Sequence, residues 1–493
     1  MYYLGIDVGS SSVKVAVIDV NNGKSLGVVL EPEEEMSIHA PKKGWAEQIP
    51  EDWWDCVCKG IKRIKQNHKI LKEDIVGIGI SYQMHGLVLV DSKGKSLRKS
   101  IIWCDSRAVE IGNSAFEDIG IGKCEKQLLN SPANFTASKL AWVKEYEPEI
   151  FGKVFKFMLP GDYIAYRFSN TINTTVSGLS EGIFWDFESD NISMDVLEYF
   201  EIPTRMVPEI VPTFGKQAEV SKEGAMASGL LEGTPILYRA GDQPNNALSL
   251  NVFKPGEVAA TGGTSGVMYA VTDNLSVKEC AKVNNFAHVN YGIEGQKNIG
   301  KLLCINGAGI QYRWLLNNLS VSSYEEMNQL ASEVRIGSDG VCLIPFGNGA
   351  ERILLNKDVG TRIANLNLNI HHKGHLCRSA LEGIAFSFVY GFEILQKDGI
   401  VPKVIRAGND NLFRSEIFAN TIATLIQKEI EIYNTTGAIG AARACALKDG
   451  DFNKFSSFMG NDHVMTFMPF KDREPYRLAY QNWKQELELI LKK

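Results

Sequence analysis

The sequence lacks several features that would place it in a common class of protein. It contains no G-x-x-x-x-G-K-[ST] motif, so the chain is not predicted to be a P-loop nucleotide hydrolase. No apolar run approaches the roughly 20 residues that a membrane-spanning helix requires. No charged and apolar leader precedes the first strand, and we therefore expect a protein that is not secreted.

Basic clusters and paired cysteines are also lacking. The net charge is −6 and no basic block offsets it, which argues against a nucleic-acid-binding surface. The nine cysteines are scattered, and only Cys56 and Cys58 lie close together, within an apparent helix. A C-x-C pair in a helix is a poor signal for a metal site or a disulfide. We therefore expect reduced cysteines and a cytoplasmic location.

What remains is the composition of a globular protein. The chain has 493 residues, of which 44% are hydrophobic and 22% charged. That length is sufficient for two or more domains, each with its own core. Composition does not distinguish one globular fold from another, so the fold must be inferred from the order of the predicted elements.

The first hairpin carries a turn of small residues between two apolar strands. The turn is Gly9, Ser10, Ser11 and Ser12, and Asp7 stands at its entrance. Such a turn can surround a phosphate with N–H and hydroxyl groups, because glycine permits the tight backbone. A carboxylate at the entrance can hold Mg²⁺, usually through water. The alternative is an ordinary hairpin with a polar turn.

The same turn occurs a second time, 254 residues later. Residues 261–271 align without gaps on residues 7–17, so that Gly263, Thr264 and Ser265 match the first turn and a threonine replaces the acid. A single repeat at this spacing indicates domain duplication. We expect two related halves that hold one nucleotide between them, with the metal carboxylate in the first half only.

The order of the predicted elements is similar to that of a ribonuclease H-like, actin-like unit. Three antiparallel strands come first, then a helix beginning at Pro50, then further strands. By analogy of fold, we predict an α/β protein with two ribonuclease H-like domains and a cleft between them. The domains are predicted to span residues 1–250 and 251–493.

Asp242 is the first candidate for acid–base chemistry. It follows an apolar strand, residues 235–238, and precedes a predicted helix. A carboxylate at the end of a strand points into a cleft and can accept a hydroxyl proton. The alternative is that Asp242 only caps the following helix. The residues alone leave both readings open.

Met84 and His85 form a second candidate pair. They follow a strand, residues 75–80, that alternates isoleucine and glycine. The imidazole of His85 can donate to or accept from a ligand hydroxyl, and Met84 can supply an apolar wall. The alternative for His85 is a histidine satisfied within the core.

These residues belong to a series of motifs that resembles, over nearly the whole chain, the FGGY carbohydrate kinases and among them the xylulokinases. Each motif alone is modest, but their order along the chain is specific. The matching stretches are residues 7–14 (D-V-G-S-S-S-V-K), 44–54 (G-W-A-E-Q with P-E and W-W), 83–86 (Q-M-H-G), 102–107 (I-W-C-D-S-R), 135–142 (F-T with K-L and W) and 241–243 (G-D-Q).

The resemblance implies an ATP-dependent kinase that phosphorylates the terminal hydroxyl of a ketopentose, with D-xylulose as the leading candidate. It implies that Asp242 is the general base and that Asp7 holds Mg²⁺ and helps to align the γ-phosphate. The residues it implies for binding the sugar are Met84, His85, Trp103, Asp105 and Gln243. Gln243 stands where xylulokinases commonly have asparagine, so kinases of ribulose, fuculose or gluconate remain alternatives.

The nucleotide side resembles the family less closely. The resemblance implies that the two small-residue turns bind ATP together with Gly307, Gln311, Gly408 and Asn409. Residues 406–411 replace two glycines of the family's triplet with arginine and alanine. This altered loop is the only support for a different class, a non-catalytic nucleotide-binding regulatory protein. The family also suggests a homodimer, and no nucleic-acid or membrane partner is expected.

Overall fold

The computed structural model describes residues 1–447, 450–460 and 462–492, and two large β-sheets dominate it. The first sheet contains β1 (Tyr2–Val8), β2 (Val13–Asp19), β3 (Ser25–Glu31), β4 (Ile75–Tyr82), β5 (Phe214–Glu219) and β6 (Pro235–Gly241). The second contains β7 (Glu257–Gly262), β8 (Gly266–Thr272), β9 (Asn284–Ala287), β10 (Ile299–Ile305), β11 (Val404–Gly408), β12 (Ile430–Tyr433) and β13 (His463–Phe467).

The two sheets repeat one strand order. From matching edges, the first runs β3-β2-β1-β4-β6-β5, and the second runs β10-β8-β7-β11-β12-β13 with one additional strand, β9, beyond β10. In each, a hairpin of two antiparallel strands opens the unit, and its first strand pairs in parallel with a later strand, β4 or β11. The repeat read from the sequence therefore corresponds to a repeated topology.

The two hairpins differ in register by one residue. Val8 pairs with Val13 in the first hairpin, whereas Gly262 pairs with Gly266 in the second. A gapless alignment of the two sequences would have paired Gly262 with Val267. The second turn is thus one residue shorter than the sequence repeat predicted.

Some of the helices pack on the faces of these sheets, and others pack mainly on one another. In the first part of the chain they are α1 (Pro50–His68), α2 (Val109–Ile119), α3 (Ile121–Gln127), α4 (Thr136–Tyr146), α5 (Pro148–Phe151), α6 (Pro160–Ser169), α7 (Val176–Glu181), α8 (Met194–Tyr199), α9 (Lys222–Ser228) and α10 (Asp242–Ser249). In the second they are α11 (Gly309–Asn318), α12 (Tyr324–Ser332), α13 (Lys373–Lys397), α14 (Glu416–Ile426), α15 (Gly437–Ala444), α16 (Phe452–Met459) and α17 (Glu474–Leu491).

Helix α15 returns from the second half of the chain to pack on the first sheet. Because side chains alternate along a strand, Leu4 and Ile6 of β1 face α1, whereas Gly5 and Asp7 face α15. A Cβ atom at Gly5 would overlap the carbonyl oxygen of Ala438, and one at Gly79 would overlap that of Ala441. Because Gly5 of β1 and Gly79 of β4 have no side chain, the backbone of α15 can lie directly on the sheet.

Helix α10 leads from the first sheet to the second and packs against α15. The Asn245 side-chain amide donates to the carbonyl oxygen of Gly437 at 2.9 Å. The predicted domain boundary at residue 250 falls at the end of this helix and stays a prediction. Among the helices of the described ranges, none is long and apolar enough to cross a membrane.

Candidate functional site

Asp7 lies near the end of β1, where the first strand meets α15. Its Oδ1 accepts a hydrogen bond from the Ser81 hydroxyl at 2.9 Å. Its Oδ2 faces the first residue of α15, where a Cβ at Gly437 would come within 2.7 Å of that oxygen. Glycine at 437 therefore leaves Oδ2 of Asp7 accessible, while the Ser81 hydroxyl holds Oδ1 in place.

The first small-residue turn is held by its carbonyl groups. The carbonyl oxygen of Ser10 accepts from the Gln48 amide at 2.6 Å, and that of Ser11 accepts from the Met36 N–H at 2.8 Å. The N–H of Gly9 closes the turn onto Ser12 at 3.0 Å, so Gly9 shapes the turn and offers no free donor. Within the described residues, the N–H groups of Ser10, Ser11 and Ser12 have no acceptor and are available to an anion.

The second turn borders a cavity of about 470 Å³. Gly263 and Thr264 form one edge of it, and their carbonyl oxygens accept from the N–H groups of Gly309 and Ile310 at 3.0 Å. The remaining wall comes from α11, α12 and the segment after β11, and includes Tyr312, Arg313, Tyr324, Glu325, Asn328, Asn411, Leu412, Arg414 and Ser415. The volume is that of a typical small-molecule pocket.

The four residues outside the two turns that were predicted to bind ATP do not form part of the wall of this cavity. The N–H of Gly307 donates to Glu351 at 2.7 Å, and the buried Gln311 amide oxygen accepts from Thr361 at 2.6 Å, so both support the segment that enters α11. Gly408 ends β11 and Asn409 follows it, and the residues from Asn411 onwards reach the cavity. A direct contact of these four with the nucleotide stays a prediction.

The altered loop at residues 406–411 does not block the cavity beside Gly263, because the Arg406 side chain points away from it. The Arg406 guanidinium pairs with Glu431 at 2.7 Å and with Glu257 at 3.3 Å, and it also donates to the carbonyl oxygen of Asn251. It is therefore held among charges of its own sheet and does not border the cavity beside Gly263. The arginine at position 406, which suggested from the sequence that nucleotide binding could be lost, therefore leaves that pocket unobstructed.

Asp242 is the first helical residue of α10, and Gly241 occupies the capping position. Burial, and then the negative charge of Asp7, raise the pKa of Asp242 to about 7, against hydrogen bonds from the Gln243 backbone and side chain that lower it. A simple capping aspartate would be ionised well below neutral pH. The position of Asp242 instead suits a group that exchanges a proton near pH 7.

Met84 and His85 lie against the same end of β6. Met84 is buried and packs where a Cβ of Gly241 would otherwise sit. The His85 ring lies edge-on to Phe135, with ring centroids 4.8 Å apart, and its Nδ1 is 3.0 Å from the carbonyl oxygen of Glu181. Burial, and then the charge of Lys139, lower the pKa of His85 to about 3, so the imidazole is neutral.

Trp103 and Asp105 occupy very different surroundings although they are two residues apart. The Trp103 side chain is half exposed, and its indole N–H donates to the Ser10 hydroxyl at 3.3 Å, so it lies at the phosphate turn. Asp105 is fully buried, and its oxygens accept from the Ala46 N–H and from the Arg107 guanidinium. Both oxygens of Asp105 therefore already bind groups of the protein, and its predicted sugar contact stays a prediction.

Two residues of this region were given no role from the sequence. Glu181 ends α7 and is buried beside His85, and burial raises its pKa well above the usual value. Lys139 on α4 is buried, and its ammonium group donates to the carbonyl oxygen of His85 at 2.8 Å. Lys139 stands in one of the matching motifs, which was its only signal, whereas nothing in the sequence marks Glu181.

The site as a whole combines two capabilities. The free N–H groups of the first turn and the open carboxylate oxygen of Asp7 can bind a phosphate chain and a divalent cation. A carboxyl group with a pKa near 7, beside a neutral histidine, can take a proton from a bound hydroxyl. Together these are the requirements of phosphoryl transfer to an alcohol.

Comparison with known proteins indicates the same kind of chemistry as the geometry of the site. Residues 2–249 match the N-terminal domain of the FGGY family of carbohydrate kinases. The xylulose kinase of Bacillus subtilis (strain 168) is 28% identical over 459 residues, which are 92% of this chain and 89% of that protein. The gluconokinase of the same organism is 27% identical over 500 residues, which are 96% of this chain and 92% of that protein.

The fold has close counterparts among solved structures. The xylulose kinase from Rhodospirillum rubrum superposes with a TM-score of 0.87 at 23% identity, over 100% of both chains. A glycerol kinase from Plasmodium falciparum, solved with ADP, superposes with a TM-score of 0.86 at 20% identity, over 99% of this chain and 98% of the other. The predicted α/β fold with two actin-like units is confirmed.

Proposed function

Because the chain belongs to the FGGY family of carbohydrate kinases, we propose that it transfers the γ-phosphoryl group of ATP to the terminal hydroxyl of D-xylulose. The observation that carries the proposal is that Asp242, with its raised pKa, lies close enough to Asp7 to feel its charge, and that Asp7 stands at the entrance of a turn with free N–H groups. The match to the xylulose kinase of Bacillus subtilis over 92% of this chain supports the choice of sugar.

The chemistry follows from the residues around the cleft. Met84 and His85 hold the sugar, with Gln243 beside the base. Asp242 accepts the proton of the terminal hydroxyl as the hydroxyl oxygen attacks the γ-phosphorus of ATP, and the bond from that phosphorus to the bridging oxygen breaks so that ADP leaves. The N–H groups of the two turns receive the phosphate chain from opposite halves, and closure of the halves excludes water from the reaction.

The same residues suit a magnesium ion. Oδ2 of Asp7 has no hydrogen-bond partner among the described residues, and carboxylate oxygen is a ligand that Mg²⁺ prefers. Mg²⁺ commonly uses one or two carboxylates together with phosphate oxygens and water, so a single aspartate is sufficient. Asp7 would hold the ion, which when bound supplies positive charge to the phosphate chain.

The rate is expected to follow the ionisation of Asp242. The group acts as a base only when deprotonated, and its pKa is about 7. The kcat/KM for the sugar will therefore rise with pH through about 7 and level off above it. Initial rates from pH 5.5 to 9, with far-UV circular dichroism at each pH to verify folding, measure this profile. A profile that is flat, or that falls as the pH rises, would contradict the assigned role.

A coupled ADP-release assay with Mg-ATP tests the substrate. The panel comprises D-xylulose, other ketopentoses, glycerol, gluconate and no sugar. We expect D-xylulose to give the highest kcat/KM, well above the background without sugar. Turnover of another sugar alone would refute D-xylulose but keep the kinase, whereas ATP binding without turnover of any sugar would favour the regulatory reading. The cytoplasmic location and the homodimer stay predictions.

A further inference from the structure

His85 has a backbone conformation that is unusual for a residue with a side chain. Its φ angle is +61°, in the left-handed region. Residues other than glycine adopt this region rarely, and such a conformation persists where the surrounding structure holds it in place. Contacts from the surrounding residues must therefore hold His85 in this conformation.

Two buried residues hold His85 from opposite sides. The Lys139 ammonium donates to its carbonyl oxygen at 2.8 Å, which fixes the backbone. The carbonyl oxygen of Glu181 lies 3.0 Å from Nδ1, which fixes the ring. The rings of Phe135 and Phe286 flank the imidazole, with centroids 4.8 and 5.2 Å away. The side chain keeps 15% of its exposure, so one edge of the ring still reaches the cleft.

The contact with Glu181 decides which ring nitrogen carries the proton. A backbone carbonyl oxygen can only accept a hydrogen bond, so Nδ1 must donate. In a neutral imidazole the other nitrogen, Nε2, is then an acceptor. Nε2 has no hydrogen-bond partner within the part of the chain that the structure describes. The Glu181 carboxyl lies 3.7 Å from Nδ1, too far for a second hydrogen bond to that nitrogen.

We propose that Lys139 and Glu181 are positioning residues that hold His85 as the Nδ1–H tautomer, so that Nε2 accepts a hydrogen bond from a hydroxyl of the sugar. This inference rests on the proposed function, because it takes the ligand of His85 to be the sugar substrate. It adds a rule of selection: the group that meets Nε2 must be a donor. A hydroxyl is accepted there, whereas a keto oxygen or a carboxylate is rejected because both are acceptors.

Nitrogen NMR of the ligand-free protein tests the tautomer directly. The chain contains eight histidines, and the His85 signals are those that disappear in the His85→Gln variant. In protein labelled with ¹⁵N-histidine at pH 7.5, we expect the Nδ1-protonated neutral tautomer for His85. The Nε2-protonated tautomer, or an imidazolium ion, would overturn the proposal. The result does not depend on which sugar the enzyme uses, so it is separable from the proposed function.

Kinetics test the positioning role of Lys139. In Lys139→Met, we expect KM for the sugar to rise about tenfold or more while KM for ATP stays within twofold. Lys144→Met on the same helix is the matched control, because its ammonium binds Phe200 and Glu201 at the surface. The control should leave both constants unchanged. An equal rise of both KM values in Lys139→Met would indicate general disruption and contradict the specific role.

Discussion

Replacement of Asp242 by asparagine will lower kcat by about 10²- to 10⁴-fold while the sugar still binds. Asparagine keeps the size of the side chain and a hydrogen-bond acceptor, but it cannot take the proton of the hydroxyl. The half-buried Asp242 begins α10 next to Gln243, and its raised pKa reflects burial rather than a structural ion pair. Steady-state rates and isothermal titration with the sugar measure the two effects separately.

The matched control is Asp195→Asn. Asp195 also stands in the first turn of a helix, α8, but it pairs with Lys123 at the surface, away from the cleft. We expect its kcat to equal that of the unaltered enzyme within twofold, because exposed ion pairs contribute little. A kcat near normal in Asp242→Asn, or an equal loss in both variants, would rule out Asp242 as the base.

Replacement of Gly5 by alanine will destabilise the folded protein by about 3 kcal/mol or more, the upper range for an overpacked interior. The added Cβ would overlap the carbonyl oxygen of Ala438 in α15, and a backbone atom cannot move aside as a side chain can. Either β1 or α15 must shift, and both carry residues of the site, Asp7 and Gly437. Thermal unfolding measures the loss of stability, and kcat at 20 °C measures the effect on the site.

Gly122→Ala in α3 is the control for this prediction. No atom lies within 4 Å of a Cβ at Gly122, and alanine favours a helix more than glycine does. The melting temperature of this variant should therefore be unchanged or slightly higher. If Gly5→Ala unfolds at the same temperature as the unaltered protein, the close packing of α15 on the first sheet is wrong.

The parts of the site that the sequence predicted are those carried by local patterns. The turn at residues 9–12 and the strand-to-helix junction at Asp242 are each complete within a few residues. Alternation of side chains along a strand and the start signals of a helix therefore suffice to place them. The repeat at residue 261 also predicted that the second half begins with the same kind of hairpin, although its turn proved one residue shorter.

The parts that the sequence did not predict depend on contacts between distant segments. Asp105 was expected at the sugar, yet its oxygens are taken by Arg107 and by a backbone N–H 59 residues earlier in the chain. Glu181 meets His85 across 96 residues and carries no motif. The direction of Arg406 follows from its two carboxylate partners on neighbouring strands. Such partners are known only once the sheets are assembled.

The central claim is that this chain moves a phosphoryl group from ATP to D-xylulose. Phosphorus NMR of purified protein with Mg-ATP and D-xylulose tests it most directly, because it identifies the product. We expect a phosphomonoester signal coupled to the C5 protons of the sugar, formed in equal amount with ADP and absent when the sugar is omitted. Free phosphate in place of the ester, or ATP that remains intact with D-xylulose, would contradict the claim.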